Sequence, residues 1–299
     1  MGYRIDFGAP LEDEARRIAA ELLEEAAELL EKQPNGVHEA IHDARKNIKR
    51  IRALYRLIAS EIGEFQAAEN DRLRVIARAL SHLRDSAVLV ETTDYLEKET
   101  NAQQAKAIIH RLGRAMKKRR DQIAAEGDEL AMALAAAVSG LQEALAAVDY
   151  LDLPKLRKQT TRCIVSGWRK TGKKALKALS TCQDADDEIP FHDLRKRAQD
   201  RYMQATLLHS LWPSGMHSLQ CQAKALVDIL GREHDLAVLN EQVLGDKDRN
   251  AADHAQLLRA IAAEREKLQA SARELATEVF NDKPKRDAGI IELLIGHKS

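Results

Sequence analysis

The stretch that decides the fold is HDARKNIKRIRALYR at residues 42–56, because its opening returns later in the chain as HDLRK at residues 192–196. A second match, LSHLRDSAVL at residues 80–89, returns as LGREHDLAVL at residues 230–239. Both matches have the same spacing of 150 residues, which is half of the 299-residue chain. Two matches with one shared spacing predict two copies of one unit. We therefore expect a first unit at residues 1–150 and a second at residues 151–299.

The composition predicts that both units are helical. The chain is 44% hydrophobic, which is enough apolar surface to offset the entropy of folding, and only 4% aromatic, with 14 Gly and 6 Pro. A sandwich or barrel needs more turn residues and aromatics than this. Apolar periodicity predicts helices at about 10–32, 36–60, 67–98 and 101–148, then at about 154–181, 190–211, 214–243 and 248–280. We expect an all-α fold of two tandem four-helix bundles related by a pseudo-twofold axis.

Other sequence features predict a cytoplasmic protein that does not enter a membrane. The sequence contains no uninterrupted apolar run of about 18 residues. Its first residues lack the basic and apolar layout of a signal peptide. The three cysteines form no C-x-x-C pair and are odd in number, which suits a reducing compartment.

The balanced charge of 47 basic and 47 acidic residues conceals a strong segregation along the chain. Residues 1–36 carry nine acidic and four basic side chains. Residues 154–177 carry nine basic side chains and no acidic one. Charges segregated in this way create local electric fields that the net charge of the chain does not reveal. The basic segment predicts a binding site for an anion.

The helix that contains residues 42–56 places its cations on one face. On a helical wheel that starts at His42, five cations fall within roughly 80° of the histidine, while apolar residues occupy the opposite arc. Arg50 adds one more cation to this helix, and the nearby acids are only Glu39 and Asp43. A solvated face normally mixes both signs of charge, so this pattern favours anion binding. The first basic stripe consists of His42, Arg45, Lys46, Lys49, Arg52 and Arg56.

The second copy of the stripe is weaker. His192, Arg195 and Lys196 keep their places, but Gln199 and Asp200 stand where the first copy has Lys49 and Arg50. The helix that begins near residue 154 supplies cations in compensation, at Lys158, Arg162, Arg169, Lys173 and Lys174. In the first half, Lys117 and Arg120 belong to a further basic cluster at residues 111–120.

The sequence leaves three alternatives to simple anion binding by this stripe: a metal site, phosphotransfer by a histidine, and binding of nucleic acid. Glu39-x-x-His42 is half of a di-iron bundle motif, but Ile189 stands where the second Glu is needed, and the surrounding cations would repel a metal ion. A helical bundle can also present a histidine for phosphotransfer. Nucleic acid is a further polyanion, although the sequence has few aromatics and no DNA-binding motif. The sequence contains no phosphate-binding loop, H-E-x-x-H or G-x-S-x-G motif, which favours binding over catalysis.

Residues 42–56 resemble the first signature of the conserved-histidine α-helical domain family, called CHAD. Further resemblances to that family are FHDLRKR at 191–197, LGREHDLAVL at 230–239, Arg84-Asp85, and the basic segment WRKTGKKAL at 168–176. They follow one another in order over nearly the whole chain. The resemblance implies two pseudo-symmetric four-helix bundles, binding of inorganic polyphosphate, and location at polyphosphate granules. Some members are fused to a triphosphate-hydrolysing domain, which makes triphosphate-metabolising enzymes possible partners.

The stripes and the resemblance together define the expected polyphosphate-binding set. We expect no cofactor, no metal and no catalytic residue. The binding set is His42, Arg45, Lys46, Lys49, Arg50, Arg52, Arg56, Arg84, Lys117, Arg120, Lys158, Arg162, Arg169, Lys173, Lys174, His192, Arg195, Lys196 and His234.

Overall fold

The computed structural model describes residues 2–82, 85–124, 127–183, 188–245, 250–281 and 283–297. Those residues contain α-helices, two short 3-10 helices at Val148–Tyr150 and His209–Leu211, and no strand. The all-α prediction is therefore confirmed. The α-helices are α1 (Leu11–Lys32), α2 (Val37–Leu57), α3 (Gly63–His82), α4 (Asp85–Glu99), α5 (Gln103–Ala124), α6 (Gly127–Ala147), α7 (Arg157–Gln183), α8 (Glu188–Leu207), α9 (Pro213–Leu244), α10 (Ala251–Val279) and α11 (Pro284–His297).

The predicted number of helices was wrong in both halves. The single helix expected at 67–98 corresponds to α3 and α4, and the one expected at 101–148 corresponds to α5 and α6. The helices in each pair have different neighbours, since α3 and α6 pack together beside α1 and α2, while α4 and α5 pack against α9 and α10. No Gly or Pro occurs between residues 64 and 99, so the sequence alone did not separate α3 from α4. In the second half α11, which packs against α7, was not predicted.

The packed face of α2 is the one that the helical wheel predicts. Its apolar residues are buried against α1 and α3, and Ile48 and Ile51 are completely inaccessible to solvent. Each buried branched side chain of this kind contributes about 1.5–3 kcal/mol of transfer free energy. The cost of crowding cations on the opposite face of α2 is therefore offset by a fully packed apolar face.

The apolar cores join the two halves of the chain. One core combines α1, α2, α3 and α6 with Cys163, Ile164 and Trp168 of α7. Another combines α4 and α5 with α9 and α10. Packing across residue 150 holds the two halves in one body. The division into bundles at 1–150 and 151–299, and their twofold relation, stay predictions.

One described segment, Leu130–Tyr150, is long and apolar enough to cross a membrane by length and composition, with a mean hydropathy of 1.5. It contains most of α6, whose residues Leu134, Ala137 and Leu141 are buried in the core beside α1 and α3. Core packing therefore accounts for part of its apolar character.

Helices α2 and α7 meet at a point where only glycine fits. A Cβ atom added to Gly167 would lie 1.8 Å from the backbone oxygen of Leu57 and 2.6 Å from its carbonyl carbon. Backbone atoms move out of such a contact only if the whole helix moves. Gly167 therefore sets how closely α7 approaches the end of α2.

We expect Gly167→Ala to destabilise the protein by about 1–3 kcal/mol or more, because the added methyl group forces α2 and α7 apart. The measurement is the midpoint of urea unfolding. Gly231→Ala is the matched control, since it also lies inside a helix but a Cβ there has no neighbour within 4 Å. We expect it to stabilise the protein by about 0.5–1 kcal/mol. Equal effects of the two substitutions would contradict the packing constraint.

Candidate functional site

A cleft of about 500 Å³ lies between α2 and α3 on one side and α7 and α8 on the other. Its fourteen lining residues include eight Lys or Arg side chains, one carboxylate and no aromatic ring. We call it the basic cleft. Its charged lining residues are Lys49, Arg52, Arg56, Arg74, Lys170, Lys174, Lys196, Arg197 and Asp200.

Helix geometry arranges these cations in rows. Arg52 and Arg56 are four residues apart on α2, so they lie one above the other on the same face. Lys170 and Lys174 have the same spacing on α7. The close approach at Gly167 brings the two rows to either side of one cleft.

The floor of the cleft holds a buried carboxylate. The side chain of Asp200 is only 4% exposed, and its Oδ1 lies 2.6 Å from Nη2 of Arg56. Its Oδ2 accepts a hydrogen bond of 3.3 Å from Nη1 of Arg197. Asp200 therefore joins α2 to α8 by a buried ion pair, and it stands at the position that the repeat equates with Arg50. The sequence suggested a weakened stripe here, whereas the structure gives the acid a structural role.

Two guanidinium nitrogens beside Asp200 are buried without a hydrogen-bond partner in the described part of the chain. Nε of Arg56 and Nε of Arg197 are buried and have no hydrogen-bond partner among the described residues. A buried donor that makes no hydrogen bond costs free energy, about 1–3 kcal/mol for each group.

The cations of the cleft repel one another. Burial, followed by the charge of Arg56, lowers the pKa of Arg52, and Nε of Arg52 donates a hydrogen bond of 2.9 Å to Oδ1 of Asn70. Burial, followed by the charges of Arg197 and Lys170, also lowers the pKa of Lys174. Lowered pKa values in basic groups mean that the protein disfavours their charged forms. Phosphate oxygens would remove that penalty, which is the electrostatic condition for tight anion binding.

A second group lies beyond Lys49 and consists of His192, Arg195 and His234; we call it the histidine cluster. The rings of His192 and His234 are 5.1 Å apart between centroids. Burial, followed by the charges of Arg195, His192 and Lys49, lowers the pKa of His234 to about 4. Burial, followed by Lys196 and Arg195, lowers the pKa of His192 as well. Both imidazoles are therefore disfavoured as cations, and Lys49 connects the cluster electrostatically to the basic cleft.

The sequence profile of the CHAD domain matches residues 16–244, which is most of the chain. The chain belongs to the CHAD family. It is similar to the crystal structure of the CHAD domain from the plant Ricinus communis, with a TM-score of 0.57 and 19% identity over 93% of this chain and 94% of that one. It is also similar to PptA from Streptomyces chartreusis, with a TM-score of 0.58 and 13% identity over 92% of this chain and all of that one. No curated protein matches the chain significantly in sequence.

The CHAD fold brings eight of the predicted residues into or beside the cleft. Lys49, Arg52, Arg56, Lys174 and Lys196 line it. His192, Arg195 and His234 form the neighbouring histidine cluster.

The remaining predicted residues of α2 are placed differently. Arg45 donates to the backbone oxygen of Ala77 at 2.7 Å and to Oγ of Ser81, which ties it to α3. The guanidinium of Arg50 lies 5.4 Å from the centre of the Tyr3 ring. Lys46 is exposed, and His42 is half-buried one turn before it.

Predicted residues on other helices also lie outside the lining of the basic cleft. Lys117 and Arg120 of α5 pair with Asp94 and Asp121, at 3.2 Å and 2.7 Å. Four predicted cations of α7 are exposed to solvent, and Arg84 is outside the described residues. Those four are Lys158, Arg162, Arg169 and Lys173.

Three cations of the basic cleft were not predicted from the sequence. Lys170 was within reach, because it precedes Lys174 by one helical turn in the basic segment. Arg197 directly follows the repeated HDLRK motif. Arg74 of α3 belongs to no motif, and only the packing of α3 beside α2 brings it to the cleft. Among the described residues there is no group of three or more His, Cys, Asp or Glu side chains that could hold a metal ion.

The lowered pKa of His234 predicts acid sensitivity. The folded value of about 4 lies below the usual value of about 6.5, so the unfolded chain binds the proton first as the pH falls. Stability should therefore decrease between about pH 6.5 and pH 4. His234→Gln should flatten the pH dependence of the urea midpoint in this window, whereas His217→Gln, at an exposed site on α9, should not. An unchanged slope in His234→Gln would contradict the buried neutral imidazole.

Proposed function

We propose that this protein is a non-enzymatic polyphosphate-binding protein whose basic cleft holds a segment of the polymer. The observation that carries the proposal is the lining of the cleft, where eight cations face one buried carboxylate. Arg side chains offer two parallel donors to phosphate oxygens and Lys side chains add mobile point charges. A flexible chain of phosphates can place successive charges against both rows of cations, which an isolated phosphate ion cannot do.

The composition of the cleft favours polyphosphate over nucleic acid. Proteins that hold single-stranded nucleic acid combine a basic groove with aromatic rings on which bases stack. The lining of the basic cleft contains no aromatic side chain. It therefore offers contacts to phosphates and none of the usual platforms for bases.

The histidine cluster would take up protons when a polyanion binds, and this would strengthen the binding. A polyanion beside His192 and His234 would favour their charged forms, whose pKa values the empty site lowers. Each imidazolium would then donate two hydrogen bonds instead of one. Cytoplasmic location at polyphosphate granules belongs to the same proposal and is supported by family membership.

The first test is a triple substitution in the cleft, Arg52→Ala with Lys170→Ala and Lys174→Ala. We expect affinity for long-chain polyphosphate to fall at least about tenfold at physiological salt, with a shallower dependence of the binding constant on salt because fewer counterions are released. The measurement is fluorescence anisotropy of labelled polyphosphate across a salt series. Circular dichroism checks that the variant stays helical.

The matched control removes three exposed cations from α5, with Arg114→Ala, Lys118→Ala and Arg119→Ala. We expect this control to bind nearly as well as the wild type. Charge-matched DNA and orthophosphate serve as competitors, and neither should displace the polymer at equal phosphate concentration. Unchanged affinity in a folded cleft variant, equal competition by DNA, or a change in polymer length on incubation with the purified protein would each contradict the proposal.

The substitution Asp200→Asn tests whether Asp200 stabilises the free protein without contributing to the binding of polyphosphate. Without the carboxylate, Arg56 and Arg197 lose their shared partner, so the free protein should melt at a lower temperature. Affinity for polyphosphate should rise, because a competing anion has been removed from the site. The checks are the melting temperature and the dissociation constant. Asp228→Asn, at an exposed site on α9, should change both much less, and weaker binding by Asp200→Asn would refute this role.

A further inference from the structure

Helices α1 and α7 have the same pattern of buried positions. With a shift of 149 residues, all seven buried apolar positions of α1 from Ala15 to Leu30 fall on buried positions of α7. The two helices therefore expose equivalent faces. Three of the pairs are Ala15 with Ile164, Ala19 with Trp168, and Ala26 with Ala175.

The exposed face of α1 is acidic. Two of its acids pair with basic neighbours on α1 itself, Glu21 with Arg17 and Glu28 with Lys32. The other three form no ion pair with a described residue. We define the acidic face of α1 as Asp13, Glu21, Glu24, Glu25 and Glu28, all of which are exposed.

The same shift places an exposed cation of α7 at each of those five positions. None of the five cations forms an ion pair within the described part of the chain. These five cations and three of the five acids on α1 therefore have no ion-pair partner among the described residues. We define the basic face of α7 as Arg162, Lys170, Lys173, Lys174 and Lys177.

The two faces match in length as well as in charge. Both extend over sixteen residues of helix, from Asp13 to Glu28 and from Arg162 to Lys177, which is about 22 Å between the first and last Cα atoms. The net charge of the chain is zero, so no overall repulsion opposes contact between copies. Complementary fields of this kind steer molecules together and fix their relative orientation.

We infer that the acidic face of α1 on one copy of this chain docks on the basic face of α7 on a second copy. The contact joins two different surfaces, so each copy has one of each to offer, and the assembly extends until a ring closes. Exposed ion pairs are individually weak and screened by salt, so the association is reversible and salt-sensitive.

The test is sedimentation velocity of the full-length protein without polyphosphate, so its result does not depend on the proposed function. Wild-type protein should associate with increasing concentration at about 20 mM salt and at least about tenfold more weakly at about 500 mM salt. The variant Glu24→Lys with Glu25→Lys reverses two of the five charges on the acidic face of α1, which nearly cancels the charge of that face, and it should stay monomeric. The variant Lys173→Glu with Lys177→Glu nearly cancels the charge of the basic face of α7 in the same way and should also stay monomeric.

An equimolar mixture of the two variants should associate again, because each now supplies the face that the other lacks. Two controls make the same change in net charge elsewhere. Glu274→Lys with Glu278→Lys on α10, and Lys118→Glu with Arg119→Glu on α5, should associate like the wild type. Monomeric wild type at low salt, association that survives either reversal, or a mixture that stays monomeric would overturn the inference.

Discussion

The contact between the backbone of α7 and the end of α2 is the constraint on which the cleft depends. Gly167 lies against the carbonyl of Leu57, and the cations of the basic cleft lie at short, fixed distances along α2 and α7 from that contact. Arg56 and Arg52 precede Leu57 by one and five residues, and Lys170 and Lys174 follow Gly167 by three and seven. Spacings of three, four and seven keep side chains on one helix face. One close approach therefore fixes two rows of charge, and a side chain at residue 167 would move both rows at once.

A cleft that is ready for an anion is a destabilising feature of the free protein. Arg52 and Lys174 have pKa values lowered by burial and by their basic neighbours, so the fold holds charges where it disfavours them. Asp200 limits this cost by pairing with Arg56 and Arg197 in the floor. Burial of the apolar face of α2, whose isoleucines are fully buried, offsets the remaining repulsion between the cations. The cleft cations and the packed apolar residues thus lie on opposite faces of the same helix, which is why α2 shows so regular a pattern.

That regularity explains how much could be read from the sequence. The periodicity of α2 gave both its packed face and the cleft residues Lys49, Arg52 and Arg56, because both follow from local helix geometry. Arg45 shares the stripe but is held by α3, and no local pattern distinguishes it from Arg52. Arg74 joins the cleft, and α4 separates from α3, through contacts between distant helices, which a single sequence does not encode as periodicity. His192 and His234 were both expected in the site, but the distance of 5.1 Å between their rings depends on how α8 packs against α9.

Lys170 and Lys174 belong to the basic cleft and also to the basic face of α7, so they link the two surfaces. A polymer in the cleft and an acidic helix from another copy would compete for these two cations. Polyphosphate carries a negative charge on every phosphate, whereas the carboxylates of α1 are spread over a rigid helix and would contact only the exposed ends of the lysines. The polymer should therefore displace the helix. On this view the acidic face of α1 on one copy would be a weak substitute for the ligand. It would pair with the cations of α7 on a second copy until polyphosphate displaces it.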